Sequence, residues 1–227
     1  MKDEQRLKLA VREVALRRRL LIAVLAGSGL AGCMPLVVGG SAVTAAMVAT
    51  DRRTAGMQVE DERIERVVAA RVYEQMPQAG RIQATSFNRI VLLTGEVRTI
   101  QDKQKAGQLV ANVENVRTVV NELTVVEFVS SLGQRSKDTL LTSQVKASLL
   151  NARDLQANTI KVITELNVVY LMGLLTARES TRAAEIARGV NDVRKVVRVV
   201  ETITEEELAG YQPSPAAPVT HDAAVSD

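Results

Sequence analysis

Hydrophobic and polar positions follow the same order in two parts of this chain. Long apolar runs occur at Arg89–Val97 and Asn167–Leu175, and a second pair of matching segments follows them at Val113–Val120 and Val190–Val197. Each copy is about 70 residues long, which is too long for a solenoid unit and sufficient for a small domain. The pattern therefore predicts two domains of one fold in tandem.

The first copy shows the order of elements within each domain. Apolar residues at helical spacing predict a first helix, and they are Ile64, Val67, Val68, Val72 and Met76. The next elements are two β-rich runs joined at Ser86–Asn88, a second helix and a last strand, at Arg81–Thr85, Arg89–Val97, Ile100–Ala111 and Val116–Val126. The expected fold class is α+β, with two helices packed on a three-stranded mixed sheet in each domain.

Glycine marks the central strand in both copies. Gly95 and Gly173 stand in matching places, near the end of each apolar run. Glycine inside a strand weakens the pairing and often marks a bend. We therefore expect the central strands to end near these two structural glycines.

The flanking segments differ in composition from the repeats. Residues 33–60 are rich in Gly, Ala, Ser and Thr and predict a tether, although the apolar stretch Leu36–Val48 leaves contact with a membrane or a partner open. Residues 205–227 contain a glutamate run and a proline-rich segment, which together predict a disordered tail. The two domains are then expected to span residues 61–128 and 137–204.

The segment 1–32 resembles a secretory signal peptide. Three arginines, Arg17–Arg19, precede the apolar run Leu20–Gly27, which is too short to span a bilayer, since a spanning helix needs about 20 apolar residues. The residues that follow match the lipobox of bacterial lipoproteins at every position, and they are Leu30, Ala31, Gly32 and Cys33.

The lipobox resemblance implies cleavage before Cys33 and a covalent lipid on this residue, with a diacylglycerol on the sulfur and an acyl group on the new amino terminus. Several acyl chains hold a protein stably on a membrane, at about 0.8 kcal/mol per buried CH₂. Met34 rather than Asp follows the cysteine, which in lipoproteins of this kind implies an outer-membrane location, facing the periplasm. The alternative is an ordinary buried cysteine after a hydrophobic helix.

The positive charge of the chain is concentrated in the predicted signal. The net charge is +3, but the segment from Met1 to Cys33 holds seven basic and three acidic side chains, which leaves the remainder at −1. A basic protein invites a nucleic-acid interpretation. We expect no nucleic-acid partner, because the excess charge lies in a segment that is removed.

The repeats resemble the BON domain. A glycine at the end of the central strand and a Val-x-x-Val segment opening the last strand are typical of that domain, and Val168–Glu179 is similar to the second BON domain of dual-BON-domain outer-membrane lipoproteins. Val91–Val97 carries the resemblance in the first copy, and Ala49–Thr54 resembles the segment ahead of it. The resemblance extends from Cys33 to about Ile203.

The family resemblance implies a non-enzymatic protein of the outer membrane's inner leaflet that supports envelope integrity. It implies that the second BON domain binds an anionic phospholipid, with phosphatidylglycerol and cardiolipin as the candidates. It also implies an association with division sites and with the outer-membrane protein assembly machinery.

A helix predicted at Asp138–Asn151 offers a surface for such a lipid. The candidate contact residues are Leu140, Lys146, Ala147, Leu150 and Arg153. At about 100° per residue, Lys146, Leu150 and Arg153 group opposite the apolar face, and Leu140 and Ala147 lie to one side. A leucine between two cations suits an anionic bilayer. Contact between the two domains and incidental exposure are the alternatives for this face.

The sequence offers no catalytic or metal-binding set. The only histidine, His221, lies in the predicted tail, and Cys33 is expected to carry lipid. No Cys/His pair has metal-ligand spacing. We therefore expect no enzyme, no metal and no cofactor other than the lipid on Cys33. The alternative function is a protein-interaction module that docks outer-membrane assembly or cell-wall factors, with the membrane attachment coming only from Cys33.

Overall fold

The computed structural model describes residues 51–211. The predicted signal peptide, the lipobox ending at Cys33 and the segment 212–227 lie outside this range. The elements in chain order are α1 (Ala55–Gln75), β1 (Gly80–Phe87), β2 (Ile90–Val97), α2 (Ile100–Ala111), β3 (Thr118–Asn121), β4 (Thr124–Val125), α3 (Leu132–Leu150), a 3₁₀ turn (Ala157–Thr159), β5 (Lys161–Glu165), β6 (Val168–Thr176), α4 (Ala177–Arg188), β7 (Lys195–Ile203) and α5 (Glu205–Tyr211). None of the helices in this part of the chain is both long and apolar enough to cross a bilayer.

Each domain is an α+β unit with two helices on one face of a small mixed sheet, as the sequence predicts. In the first domain β2 is central, antiparallel to β1 and parallel to β3 and β4. In the second domain β6 takes the central place, antiparallel to β5 and parallel to β7. A parallel pair needs a crossover connection, which the helices α2 and α4 provide.

The central strands are apolar on both faces because both faces are covered. In β6, Val169, Leu171 and Leu175 pack on the helices of the same domain. The alternate residues point the opposite way and join a third apolar cluster, which contains Tyr170, Met172 and Leu174. A strand buried on both sides has a nearly continuous hydrophobic sequence, which explains the two long apolar runs.

That third cluster joins the two domains. It combines Phe87 and Leu92 of the first domain with residues of β6, β7 and α5 in the second. The sheets therefore face each other, with their helices on the outer sides. Three ion pairs cross this contact, and they are Lys161 with Glu65, Arg81 with Glu165, and Arg117 with Glu201.

The first hairpin and the last strand depart from the sequence prediction. The hairpin turns at Asn88–Arg89, later than the predicted Ser86–Asn88, because both residues adopt a positive φ that closes a two-residue turn. The last strand is interrupted between β3 and β4. There the Asn121 side chain accepts a hydrogen bond from the backbone N–H of Leu123, which diverts the chain from the strand path.

The central strands end near the glycines, as expected, but two and three residues beyond them. Strand β2 continues past Gly95 to Val97, and β6 continues past Gly173 to Thr176. Gly95 is required by a φ of +118° and by the close approach of the Arg81 carbonyl oxygen. Gly173 has no positive φ, but a Cβ there would lie 2.9 Å from the carbonyl oxygen of Thr159.

The predicted tether and tail are partly helical. Helix α1 begins at Ala55, within the predicted tether, because the Thr54 side chain caps it by accepting a hydrogen bond from Met57 N–H. Residues Glu205–Tyr211 form α5 instead of a disordered segment. Leu208 explains this difference, since it is buried in the contact between the domains.

Candidate membrane-contact surface

Helix α3 begins at Leu132, ahead of the predicted start at Asp138. Its inward face packs Leu141, Val145 and Leu149 into the second domain's core. At about 100° per residue, Leu132, Leu140 and Leu150 all lie within roughly 45° of the opposite pole. These three side chains are 71%, 60% and 63% exposed. Helix α3 therefore presents a row of leucines to its surroundings.

The polar side chains among these leucines are satisfied by the helix itself. The hydroxyl groups of Ser136, Thr139 and Ser143 each donate to the backbone carbonyl one helical turn earlier, at 3.2, 2.9 and 3.1 Å. A hydroxyl that already has a hydrogen-bond partner loses less free energy when water is removed from it. The outward face is therefore less polar than its residue types indicate.

Cations flank this outward face on both sides. Arg135 and Lys146 lie on one flank and Lys137 on the other, and all three are exposed. The single carboxylate of α3, Asp138, is buried and accepts hydrogen bonds from backbone N–H groups of the neighbouring hairpin. The accessible charge of α3 is thus entirely positive. Ala147 is also exposed, between Leu140 and Leu150 on this face.

The predicted contact residues are brought together with one exception. Leu140, Lys146, Ala147 and Leu150 share the outer surface of α3, whereas Arg153 lies in the turn that follows the helix and is exposed there. None of the cations Arg135, Lys137, Lys146 and Arg153 forms an ion pair within residues 51–211. The alternative that this face joins the domains is wrong, because the domains meet through their sheets.

The equivalent helix of the first domain is different. Ala69 and Tyr73 of α1 occupy the places that Lys146 and Leu150 hold in the second copy. The outer surface of α1 carries both charge signs, since Glu62 pairs with Arg66 at 3.5 Å and Glu74 is exposed. An anionic surface would repel part of this face. The positive, leucine-rich outer face is therefore a property of the second domain.

Three clefts on residues 51–211 are open to solvent. A shallow cleft of about 270 Å³ beside Leu140 is lined by Lys137, Gln144 and other polar residues. Within residues 51–211, no group of three or more His, Cys, Asp and Glu side chains is placed to hold a metal ion.

Comparison with known proteins gives the family of the fold. The model for the BON domain matches residues 60–127 and 137–203. The chain is 42% identical to the outer membrane lipoprotein DolP of Haemophilus influenzae over 182 residues, which are 78% of this chain and 93% of that protein. The chain belongs to the dual-BON-domain lipoprotein family.

Two further relatives carry different names. The 21 kDa hemolysin of Actinobacillus pleuropneumoniae is 36% identical, over 67% of this chain and 79% of that protein. The osmotically-inducible protein Y of Escherichia coli is 30% identical, over 60% of this chain and 69% of that protein. The match to DolP over most of both chains agrees with a lipoprotein of the outer membrane.

This BON-domain lipoprotein contains a buried ion pair ahead of the first domain. The sequence did not predict this pair. The Arg52 guanidinium donates to both carboxylate oxygens of Glu179 at 2.7 Å and to the carbonyl oxygen of Leu174 at 2.6 Å. Burial acts to raise the pKa of Glu179, but the hydrogen bonds from Arg52 and from Thr176 N–H outweigh it and lower the pKa. The end of the predicted tether is thereby fixed to the second domain.

A second missed feature is the short linker between the domains. Phe128 is 80% exposed in it. The linker is held at Ser130, whose backbone N–H and hydroxyl both donate to the buried carboxylate of Glu96. The order of apolar and polar residues in the linker does not reveal its conformation. The contact that fixes the linker comes from Glu96, which lies 34 residues earlier in the chain.

Proposed function

We propose that this outer-membrane lipoprotein binds anionic phospholipid through helix α3 of its second BON domain, and that this binding serves envelope integrity without enzymatic activity. The observation that supports the proposal is the outer face of α3, where exposed leucines lie between cations that form no ion pair within residues 51–211, and where the helix has no accessible carboxylate. Phosphatidylglycerol and cardiolipin are the expected lipids. The protein is expected on the periplasmic side of the membrane.

The energetics favour such a contact. Full burial of one leucine stabilises by about 1.5–3 kcal/mol, and each cation near an anionic surface contributes about 1 kcal/mol. The leucines of α3 would enter the boundary between headgroups and acyl chains, and Lys137 and Lys146 on its two flanks would meet lipid phosphates. A helix of 19 residues lying flat can present about 28 Å of such surface.

Because the predicted lipid on Cys33 already attaches the protein to the membrane, a weak contact between α3 and the bilayer is sufficient for binding. A protein that is already tethered to the bilayer binds at a high effective concentration, so a contact of a few kcal/mol is occupied most of the time. The Arg52–Glu179 pair fastens the chain after the tether to the same domain that carries α3. The anchor and the proposed lipid surface are therefore connected through one domain.

The test is co-sedimentation of a soluble chain spanning positions 51–227 with vesicles that contain or lack phosphatidylglycerol. This chain keeps Arg52 and both domains. We expect sedimentation with the anionic vesicles only, and loss of binding at high salt because the contact depends on charge. The double change Lys146→Glu with Leu150→Glu is expected to abolish binding.

The matched control carries the same changes on the first domain, Ala69→Glu with Tyr73→Glu. These positions are equivalent to Lys146 and Leu150 and are also exposed. The control introduces two glutamates, as the test variant does, but it does not remove the positive charge of a lysine. Unchanged binding by the folded Lys146/Leu150 double variant would contradict the proposal. Equal loss in both double variants would show a general charge effect instead of a site.

A protein-interaction module that docks an assembly or cell-wall factor is the second candidate. Its support is an open, largely apolar groove beside the edge strand β1, of about 440 Å³, lined in part by Val68, Val72, Ile82 and Ala84. If the soluble chain fails to sediment with any vesicle, this groove becomes the first surface to probe for partners.

A further inference from the structure

We infer that the linker between the two domains is a second membrane-contact element, in which Phe128 and Leu132 insert into the same anionic bilayer as helix α3. The inference rests on the proposed lipid binding by α3 and extends that surface beyond the helix. It assigns the aromatic anchor of the site to Phe128, since the outer face of α3 itself carries only leucine and alanine as apolar side chains.

Exposed apolar side chains are concentrated around this linker. Among residues 51–211, ten large hydrophobic residues are exposed, and six of them lie between positions 125 and 150. Four of those six cluster at the linker itself, and they are Val125, Phe128, Val129 and Leu132. A contiguous exposed apolar patch with a polar rim marks an interaction surface, whereas singly scattered residues do not.

The exposure of Phe128 is imposed by contacts on both sides of it. The backbone N–H of Val126 donates to the carbonyl oxygen of Val97 at 2.9 Å, which ties the linker to the end of β2. Ser130 is tied to the buried carboxylate of Glu96. Only the segment Glu127–Val129 separates these two attachments, which restricts the movement of the backbone at Phe128. Between them the phenyl ring is 80% exposed.

The linker and α3 form one continuous surface along the chain. Leu132 and Leu150 are the first and last residues of α3, and their separation of about five helical turns places both on one line along the helix. Phe128 lies only four residues before Leu132, in the non-helical linker, and so within about 14 Å of it along the chain. We place Phe128 at the start of the row that ends at Leu150.

The charge around the linker and the start of α3 favours an anionic bilayer as the occupant of this surface. Arg135 and Lys137 are exposed just beyond Leu132, and Glu127 is the single exposed carboxylate between Val125 and Asp138. Aromatic rings are favoured at the boundary between headgroups and acyl chains. Basic side chains beside apolar ones are typical of protein surfaces that lie in that boundary.

The experiment uses the full, lipidated chain reconstituted into phosphatidylglycerol vesicles, with and without bromine on the upper acyl carbons. The chain contains no tryptophan, so one introduced tryptophan is a clean reporter. Three single variants are compared: Phe128→Trp in the linker, Leu140→Trp on α3, and Tyr73→Trp as the control on the exposed face of α1. All three positions are at least 60% exposed.

We expect bromine to quench Phe128→Trp as strongly as Leu140→Trp, and to leave Tyr73→Trp unquenched. Quenching of Leu140→Trp alone would overturn the linker contact and leave the lipid binding by α3 standing. Absence of quenching at both Phe128→Trp and Leu140→Trp would overturn the proposed function together with this inference. Equal quenching at all three positions would also overturn it, because the anchor alone would then account for the proximity.

Discussion

Asp61 and Asp138 serve the same purpose in the two domains, because each buried carboxylate accepts hydrogen bonds from both backbone N–H groups of the adjacent hairpin turn. Asp61 accepts from Asn88 and Arg89 at 2.8 Å, and Asp138 accepts from Leu166 and Asn167 at 3.0 Å. A tight turn leaves these donors without strand partners, and the first helix of each domain supplies the acceptor. The helix and the hairpin are thereby held in one register.

We predict that Asp138→Ala destabilises the second domain by about 1–3 kcal/mol. The change leaves two half-buried backbone donors of the turn without a protein partner, and water satisfies such donors only in part. Urea unfolding measured by circular dichroism checks the value. Asp154→Ala is the control, because Asp154 forms an exposed pair with Arg182, and solvent screens the attraction in such a pair. Equal losses in the two variants would contradict the prediction.

The same turn contains a residue that is poorly suited to its conformation. Leu166 has a φ of +50°, whereas the equivalent residue of the first domain, Asn88, is of a type that tolerates this region. The left-handed region costs most L-residues about 1–2 kcal/mol, and Asn is one of the exceptions. We therefore expect Leu166→Asn to stabilise the second domain by about 1 kcal/mol. A lower urea midpoint for the variant would contradict this expectation.

The sequence predicted the fold because both of its signals are local. The helical spacing at Ile64 and Val68 and the apolar run of β2 each report burial within a short stretch of chain, and the repeat supported the order of elements. The boundaries failed where a distant contact decides them. Leu208 orders α5 by packing between the domains, and no pattern near Leu208 reports the surface that receives it.

The candidate surface was predictable only in part for the same reason. Helical spacing placed Lys146 and Leu150 together, since their arrangement depends on one helix. The Arg52–Glu179 pair joins residues 127 positions apart, and the attachment of Ser130 to Glu96 depends on β2. Phe128 could have been predicted as a contact residue from the sequence, because it is an aromatic residue in a short segment between two domains.

We predict that Arg52→Ala destabilises the protein by about 3–5 kcal/mol, since it leaves the buried carboxylate of Glu179 without its partner. The double variant with Glu179→Gln is expected to recover part of this loss, because the unpaired charge is then removed. Urea unfolding of the wild type, both single variants and the double variant gives the coupling between the residues. Additive losses would show that the two side chains do not interact.

The ion pair between Arg117 and Glu201 makes the contact between the domains sensitive to acid. The hydrogen bond from Arg117 lowers the pKa of Glu201, with a further contribution from Asn88. Because the folded pKa lies below the unfolded one, the stabilisation is fully present above the unfolded pKa of about 4.3 and is lost as the pH falls through the folded pKa.

We expect Glu201→Gln to lower the free energy of unfolding at pH 7 by about 1 kcal/mol or less, as is usual for a partly exposed pair. We also expect it to reduce the loss of stability between pH 7 and pH 3. Urea unfolding at the two pH values tests both effects. Glu74→Gln on the exposed face of α1 is the control, because it makes the same substitution away from the contact between the domains. An unaltered acid dependence in Glu201→Gln would contradict the assignment.

Lys146 supplies part of the positive charge of the proposed lipid surface. Lys146 is exposed on α3 and has no carboxylate partner within residues 51–211, so its substitution leaves no charge uncompensated in the fold. We expect Lys146→Gln to weaken binding of the soluble chain to phosphatidylglycerol vesicles about fivefold, which corresponds to about 1 kcal/mol for one cation near an anionic surface. The slope of binding against salt should fall as well. The control Arg66→Gln on α1 removes the same charge from the other domain, and vesicle titration should show no change for it. If both variants weaken binding equally, net charge and not the outer face of α3 governs the contact.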